Sequence, residues 1–226
     1  MPDLSYVSLR EPKRSANGRS AVLMLLHGVG SNERKMLPLA EGSDPRLGII
    51  SVRGPVELGQ DAYGWFHVAF TANGPVIEAA EAEASRCALL GFIATYQAAH
   101  NVDDIYLMGF SQGAIMATVA ALTKPQSVQG AVGLSGRFPK EFLEQIAAPE
   151  DLKKTALWIG HGIEDQKLPI HHGRATESLL RRTGAPFSYQ EFPAGHEITS
   201  EMHSSAHRWL GERLETTEAV HRNQTK

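Results

Sequence analysis

A single cysteine, Cys87, stands in the 226-residue chain, which rules out an internal disulfide. Its alanine-rich, helix-like surroundings predict a buried, unreactive thiol. Long apolar runs are also missing. Nothing approaches the roughly 18 uninterrupted apolar residues of a membrane-spanning helix, and the start, Met1-Pro2-Asp3-Leu4, has no apolar signal core. A cytoplasmic protein without stable membrane insertion is expected. A basic excess is absent too: 22 Lys and Arg against 25 Asp and Glu give a net charge of -3. No basic run is longer than a pair such as Lys13-Arg14, Lys153-Lys154 or Arg181-Arg182, so no stripe is built to neutralise phosphates and nucleic acid is not expected as a partner.

Cofactor signatures are lacking as well. Neither G-x-G-x-x-G nor the P-loop lysine pattern occurs, so the glycines around Gly28 and Gly30 do not read as a nucleotide cradle. His203 and His207 stand four apart, but the Glu of H-E-x-x-H and a third ligand are missing, and no metal site is expected there. Repeats, linkers and low-complexity segments are not found.

What is present is an ordinary globular mixture, 42% hydrophobic and 21% charged. A chain of this length buries about three quarters of its unfolded surface in one core. One domain spanning residues 1–226 is expected, with an N-terminal edge segment over 1–20 and a polar, frayed tail over 215–226. A homodimer is an assembly open to it.

Short apolar runs alternate with helix-length segments, the pattern of an α/β sheet. Strands are predicted at Ala21–Leu26, Ile49–Val52, Ile105–Met108, Ala131–Leu134, Ala156–Ile159 and Phe187–Phe192. Most are continuous rather than alternating, as in parallel strands covered on both faces. Tyr6–Arg10 adds an antiparallel edge. Helices are predicted at Glu33–Ala40, Glu78–His100, Gln112–Thr123, His171–Arg182 and Ser200–Leu214. Residues Gly54–Pro75 follow neither period and read as a long loop. Its aromatics Tyr63, Trp65, Phe66 and Phe70 are expected either to line a substrate pocket or to anchor the loop to the core.

Gly109-Phe110-Ser111-Gln112-Gly113 matches G-x-S-x-G, and it follows a predicted strand and opens a predicted helix. That is the context of a nucleophile elbow, whose sharp turn leaves no room for Cβ atoms two residues either side of the serine. A plain helix N-cap is the alternative role for Ser111, but a cap does not need both glycines. Gly133-Leu134-Ser135-Gly136-Arg137 lacks the second glycine, so Ser135 reads as a turn residue.

A serine hydroxyl needs an imidazole to take its proton and a carboxylate to hold that imidazole. In the α/β-hydrolase order Ser, acid, His, His196 follows the last strand and Asp165 follows the one before, with Glu164 its close rival. His27 and His161 open His-Gly pairs and are expected to shape turns. Oxyanion donors are expected from the backbone N–H of Gln112 and of Val29, in the loop Leu26-His27-Gly28-Val29-Gly30-Ser31.

With these residues in place, the chain resembles the phospholipase/carboxylesterase family of compact α/β-hydrolases, which includes acyl-protein thioesterases and bacterial carboxylesterases. The resemblance runs from about Ala21 to Trp209. It is carried by Leu26-His27-Gly28, Gly54-Pro55, Trp65-Phe66, the Ser111 pentapeptide, Leu134-Ser135-Gly136, His161-Gly162 through Asp165 to Leu168-Pro169, and Gly195-His196-Glu197-Ile198. It implies a mostly parallel central sheet with helices on both faces and a minimal lid. It also implies hydrolysis of small to medium acyl esters or thioesters without metal or organic cofactor. Acyl-protein thioesterase and lysophospholipase activity are alternatives, and a non-catalytic small-molecule receptor is a further one. Two positions depart from the family pattern: Val29-Gly30-Ser31-Asn32, where an Asp is common, and His67 after Trp65-Phe66. Both bear on substrate preference.

Overall fold

Strands form where the apolar runs lie. The computed structural model describes residues 4–15, 18–71 and 74–224, apart from the side chains of Phe70 and of residues 220–224. The chain lays down β1 (Tyr6–Arg10) and β2 (Ala21–Leu26), then a 3-10 helix over Arg34–Ala40 and β3 (Leu47–Val52). Two hairpins follow, β4 (Val56–Gly59) with β5 (Ala62–Gly64) and β6 (Val68–Thr71) with β7 (Gly74–Ile77). The rest alternates: α1 (Ala79–His100), β8 (Asp104–Phe110), α2 (Gln112–Thr123), β9 (Gly130–Leu134), the single turn α3 (Pro149–Leu152), β10 (Ala156–Gly162), α4 (His171–Thr183), β11 (Phe187–Phe192) and α5 (Ser200–Gln224).

Seven strands join one sheet in the order β1-β3-β2-β8-β9-β10-β11. Only the edge strand β1 runs antiparallel; the other five pairings are parallel. The missing alternation in β2 now has its cause, because both faces of that strand are covered. Val22, Met24 and Leu26 face a core with α1 and α2, while Leu23 and Leu25 face a second core with Met202, Ala206 and Leu210 of α5. Each fully buried Leu contributes about 1.5–3 kcal/mol. Helix α2 is buried from Gln112 through Leu122, as an apolar-all-round helix must be. By contrast, α4 buries one stripe, Gly173, Thr176 and Leu180, and leaves its charged face outside.

Four expectations need correction. Residues 34–40 form a 3-10 rather than an α-helix: Pro38 inside it has no N–H to donate, and Asn32 Oδ1 accepts the N–H groups of Arg34 and Lys35 at its start. The segment 54–75 is not a long loop but the two hairpins, too short to show a strand period. The tail does not fray at Glu215, since α5 continues to Gln224. There Thr217 Oγ1 lies 3.0 Å from the buried Tyr106 hydroxyl, and Glu218 accepts from Arg46. Cys87 is half-buried rather than buried; its thiol donates to Glu83, and burial raises its pKa. Among the described residues no helix is long and apolar enough to cross a membrane.

Candidate active site

The turn between β8 and α2 holds Ser111 at φ 53° and ψ -114°, a region that L-residues enter only when their surroundings force them. The forcing is visible on both sides. A Cβ on Gly109 would lie 2.1 Å from the Gly113 carbonyl oxygen, and one on Gly113 would lie 2.0 Å from that of Leu26. Strand, turn and helix therefore close upon each other only with glycine at both positions. The Ser111 N–H donates to Leu134 O at 2.9 Å, tying the turn to β9.

Neighbouring strands deliver the other two groups. Asp165 follows β10 and His196 follows β11, and the two segments pass closely, with the Glu164 N–H donating to Ala194 O. His196 Nε2 lies 2.9 Å from Ser111 Oγ, and its Nδ1 lies 2.7 Å from Asp165 Oδ2. The second oxygen of Asp165 accepts the N–H groups of Lys167 and Leu168 at 2.9 and 2.8 Å. Those donors point the carboxylate, at 4% exposure, toward the imidazole. Glu164, the rival acid, is exposed. The arrangement can draw a proton from the serine and stabilise the resulting imidazolium.

His27 and His161 are both fully buried, and burial pushes both pKa values down. His27 Nδ1–H donates to Gly28 O and its Nε2 accepts from Gly54 N–H, which joins the β2 loop to the residue after β3. His161 Nε2–H donates to Leu168 O at 2.7 Å, bracing the turn that feeds Asp165. Both shape turns, as expected. His203 and His207 each contact Leu39 O, and no cluster of three metal-ligating side chains occurs among the described residues.

The loop after β2 borders the serine. A Cβ on Gly28 would sit 3.3 Å from the Cβ of Ser111. Bonds between Gly30 N and Tyr63 O and between Tyr63 N and Ser31 O fasten this loop to β5. Among the described residues the Val29 N–H has no acceptor. Gln112 begins α2, where an N–H has no partner within the helix.

The expected aromatics divide. Phe66 lines the cavity above Ser111, but Tyr63 and Trp65 do not. Trp65 is fully buried, and its indole N–H donates to His27 O; Tyr63 lies under the Arg53 guanidinium, 4.4 Å from ring centroid to Cζ. Trp65 anchors the end of the hairpin to the core, and Tyr63 packs against Arg53 instead. The side chain of Phe70 lies outside the described residues. The cavity measures about 670 Å³ and is mostly apolar, with Met36, Leu39, Val68, Ile77, Ile115 and Ile198 in its wall beside Val29, Ser111 and His196.

Three contributions escape sequence reasoning. The Gln112 side chain accepts from Trp65 N–H and donates to Phe66 O, both at 2.7 Å, clamping the hairpin to the elbow. Glu33, 2% exposed, takes two 2.7 Å bonds from Arg53 beneath the β2 loop, and the Arg53 guanidinium holds its carboxyl below the usual range. Arg137 reaches the cavity wall. Glu33 and Arg137 belong to no motif, the motif that holds Gln112 says nothing of its side chain, and the partners of all three lie at least 20 residues away.

The sequence is similar to named carboxylesterases and acyl-protein thioesterases. A probable SOBER1-like carboxylesterase of Arabidopsis thaliana is 29% identical over 118 residues, covering 52% of this chain and 45% of that protein. Acyl-protein thioesterase 1 of Gibberella zeae is 29% identical over 115 residues, covering 50% of this chain and 49% of its own. The chain thus spans about half the length of these two relatives. Among solved structures, the Bacillus cereus carboxylesterase superposes with a TM-score of 0.80 at 24% identity, covering 93% of this chain and 94% of that one, a likeness that speaks to the fold. The pattern defining the Phospholipase/Carboxylesterase family matches residues 11–212, and the chain belongs to that family.

Proposed function

We propose that the protein is a serine carboxylesterase acting on small to medium acyl esters. The reading is carried by the continuous hydrogen-bonded row Ser111–His196–Asp165 at the floor of an apolar cavity. In this mechanism His196 Nε2 takes the Ser111 proton as Oγ attacks the ester carbonyl. Asp165 stays ionised and stabilises the imidazolium. The N–H groups of Val29 and Gln112 receive the oxyanion. His196 then hands its proton to the departing alkoxide, the alcohol leaves, and an acyl-Ser111 ester remains. Water repeats the cycle: His196 takes its proton, the hydroxyl adds to the acyl carbon, and Ser111 departs reprotonated with release of the acid.

Hydrolysis of p-nitrophenyl butyrate tests this directly. Ser111→Ala is expected to lower kcat by at least about 10³-fold, and a fluorophosphonate probe to label the wild type alone. Unchanged turnover in Ser111→Ala overturns the assignment. Thioester hydrolysis is a second reading, favoured by the match to an acyl-protein thioesterase. Relative kcat/KM on a matched oxygen ester and thioester separates the two.

A further inference from the structure

Four half-buried arginines in this fold carry a carboxylate. Arg19 has Asp104, Arg46 has Asp44, Arg53 has Glu33 and Arg86 has Glu83, each within 2.8 Å. Among the described residues Arg10, Arg213 and Arg137 are half-buried without one, and of the three it is Arg137 that lines the cavity. It is half-buried, it borders the cavity, and no carboxylate oxygen lies within 4 Å of it among the described residues. Its Nη2 donates to Pro75 O at 3.2 Å, and its Nε is buried without a partner. Glu141, in the 3-10 helix Lys140–Gln145, attracts it through space but is not bonded to it, and its own Oε2 is also unpartnered. Burial pulls the Arg137 pKa below its usual value, yet a guanidinium stays charged at any pH the protein meets.

A partly desolvated cation with no bonded counter-charge is costly to keep, and this one lines the cavity that holds Ser111. The other charges on the wall are Lys35, Lys167 and Glu197, all exposed. The wall therefore carries three cations against one anion, and only Arg137 is sheltered enough to focus its field into the apolar chamber. The same cavity is lined by Val68, Pro75, Ile77 and Ile115 as well as by Ser111 and Arg137, so the serine and the guanidinium border one mostly apolar space.

We infer that Arg137 is the anchor for a carboxylate borne by the substrate, so that the preferred esters are those of dicarboxylic or hydroxycarboxylic acids with a free acid end. The inference rests on the hydrolase reading above. A carboxylate there would accept charge-assisted bonds from the guanidinium, supply the counter-charge the protein withholds, and set the ester bond at a fixed reach from its acid end. Acids, alcohols and amines without that group would gain only the apolar contacts.

Two matched pairs test it: monoethyl adipate against ethyl hexanoate, with the carboxylate on the acyl side, and 6-acetoxyhexanoate against hexyl acetate, with it on the alcohol side. In at least one pair the wild type is expected to favour the carboxylated ester in kcat/KM. Arg137→Met should lower that ratio about tenfold or more, mainly through KM, and Arg137→Lys should recover part of it. Arg137→Gln, which keeps a donor toward Pro75, guards against a methionine variant that fails to fold. Adipate dianion, titrated calorimetrically, should bind the wild type and bind Arg137→Gln about tenfold more weakly. Neutral esters turned over with no gain for either carboxylated partner, or a gain that survives in Arg137→Met, overturns the anchor while the hydrolase reading stands. Failure of all four esters, with no fluorophosphonate labelling, overturns the hydrolase reading; the adipate titration then decides the anchor alone, and equal or absent binding sinks it.

Discussion

Single side chains in this protein are held in states that their burial selects. His27, His161, His172 and His207 all have pKa values pushed down, chiefly by loss of water, that of His172 to about 4. In the unfolded chain each binds a proton below about pH 6.5, whereas in the folded protein each stays neutral to lower pH. The unfolded state then holds more protons, so stability is complete above about pH 6.5 and falls as pH drops toward 4. The urea-unfolding midpoint should therefore decrease from pH 7 to pH 5, and His172→Gln should make that decrease smaller. A midpoint that is flat over this interval contradicts the account. Depressed carboxyls such as Glu33 and Asp44 lose their contribution as pH falls from the ordinary carboxylate range toward their lowered values, so the interval from pH 7 to pH 5 reports mainly on the histidines.

Elements meet at the elbow through one residue with two jobs. The backbone of Gln112 starts α2 beside the serine, and its side chain holds the ends of the two hairpins at Trp65 and Phe66. Gln112→Leu keeps the N–H but strands the Trp65 N–H and the Phe66 carbonyl in a buried site, with about 1–3 kcal/mol lost for each orphaned group. A stability loss of about 2–4 kcal/mol in urea is expected, with faster hydrogen exchange at the Trp65 amide. Unchanged exchange there would mean that the hairpin is held by its other contacts. Sequence alone could place Gln112 in G-x-S-x-G. It could not reveal the clamp, because Trp65 is 47 residues away and the hairpin strands are three or four residues long, too short to register a period.

At the scale of the whole molecule, the sheet is closed from one side by α1 and α2 and from the other by α5, and the last turns of α5 take part in that closure. Tyr106, in the central strand β8, is fully buried, and its hydroxyl meets Thr217. Burial raises its pKa to about 12. Ending the chain at Leu214 would leave this hydroxyl unpaired and remove Glu218 from Arg46. A loss of about 1–3 kcal/mol is expected, measured as a lower urea midpoint, and Tyr106→Phe in the shortened chain should recover part of it. No change on truncation would mean that the tail contributes nothing to the fold.

The sequence by itself determined the α/β alternation, the positions of most central strands, the serine within its glycines, and the chain order of Ser111, Asp165 and His196. These are local or ordinal properties: an apolar run buried on two faces, a turn that tolerates no Cβ, a motif read along one strand-turn-helix. Tertiary structure alone decided what lies across the site. It separated Trp65, which lies wholly in the core, from Phe66, which is buried in the same core but also lines the cavity, although adjacent residues of one aromatic pair look alike in sequence. It also continued α5 past its polar boundary, because the partners of that turn, Tyr106 and Arg46, sit on remote strands and loops. Arg137 gained its meaning from a missing neighbour, and the absence of a partner is a property of the folded surroundings rather than of any residue in the chain.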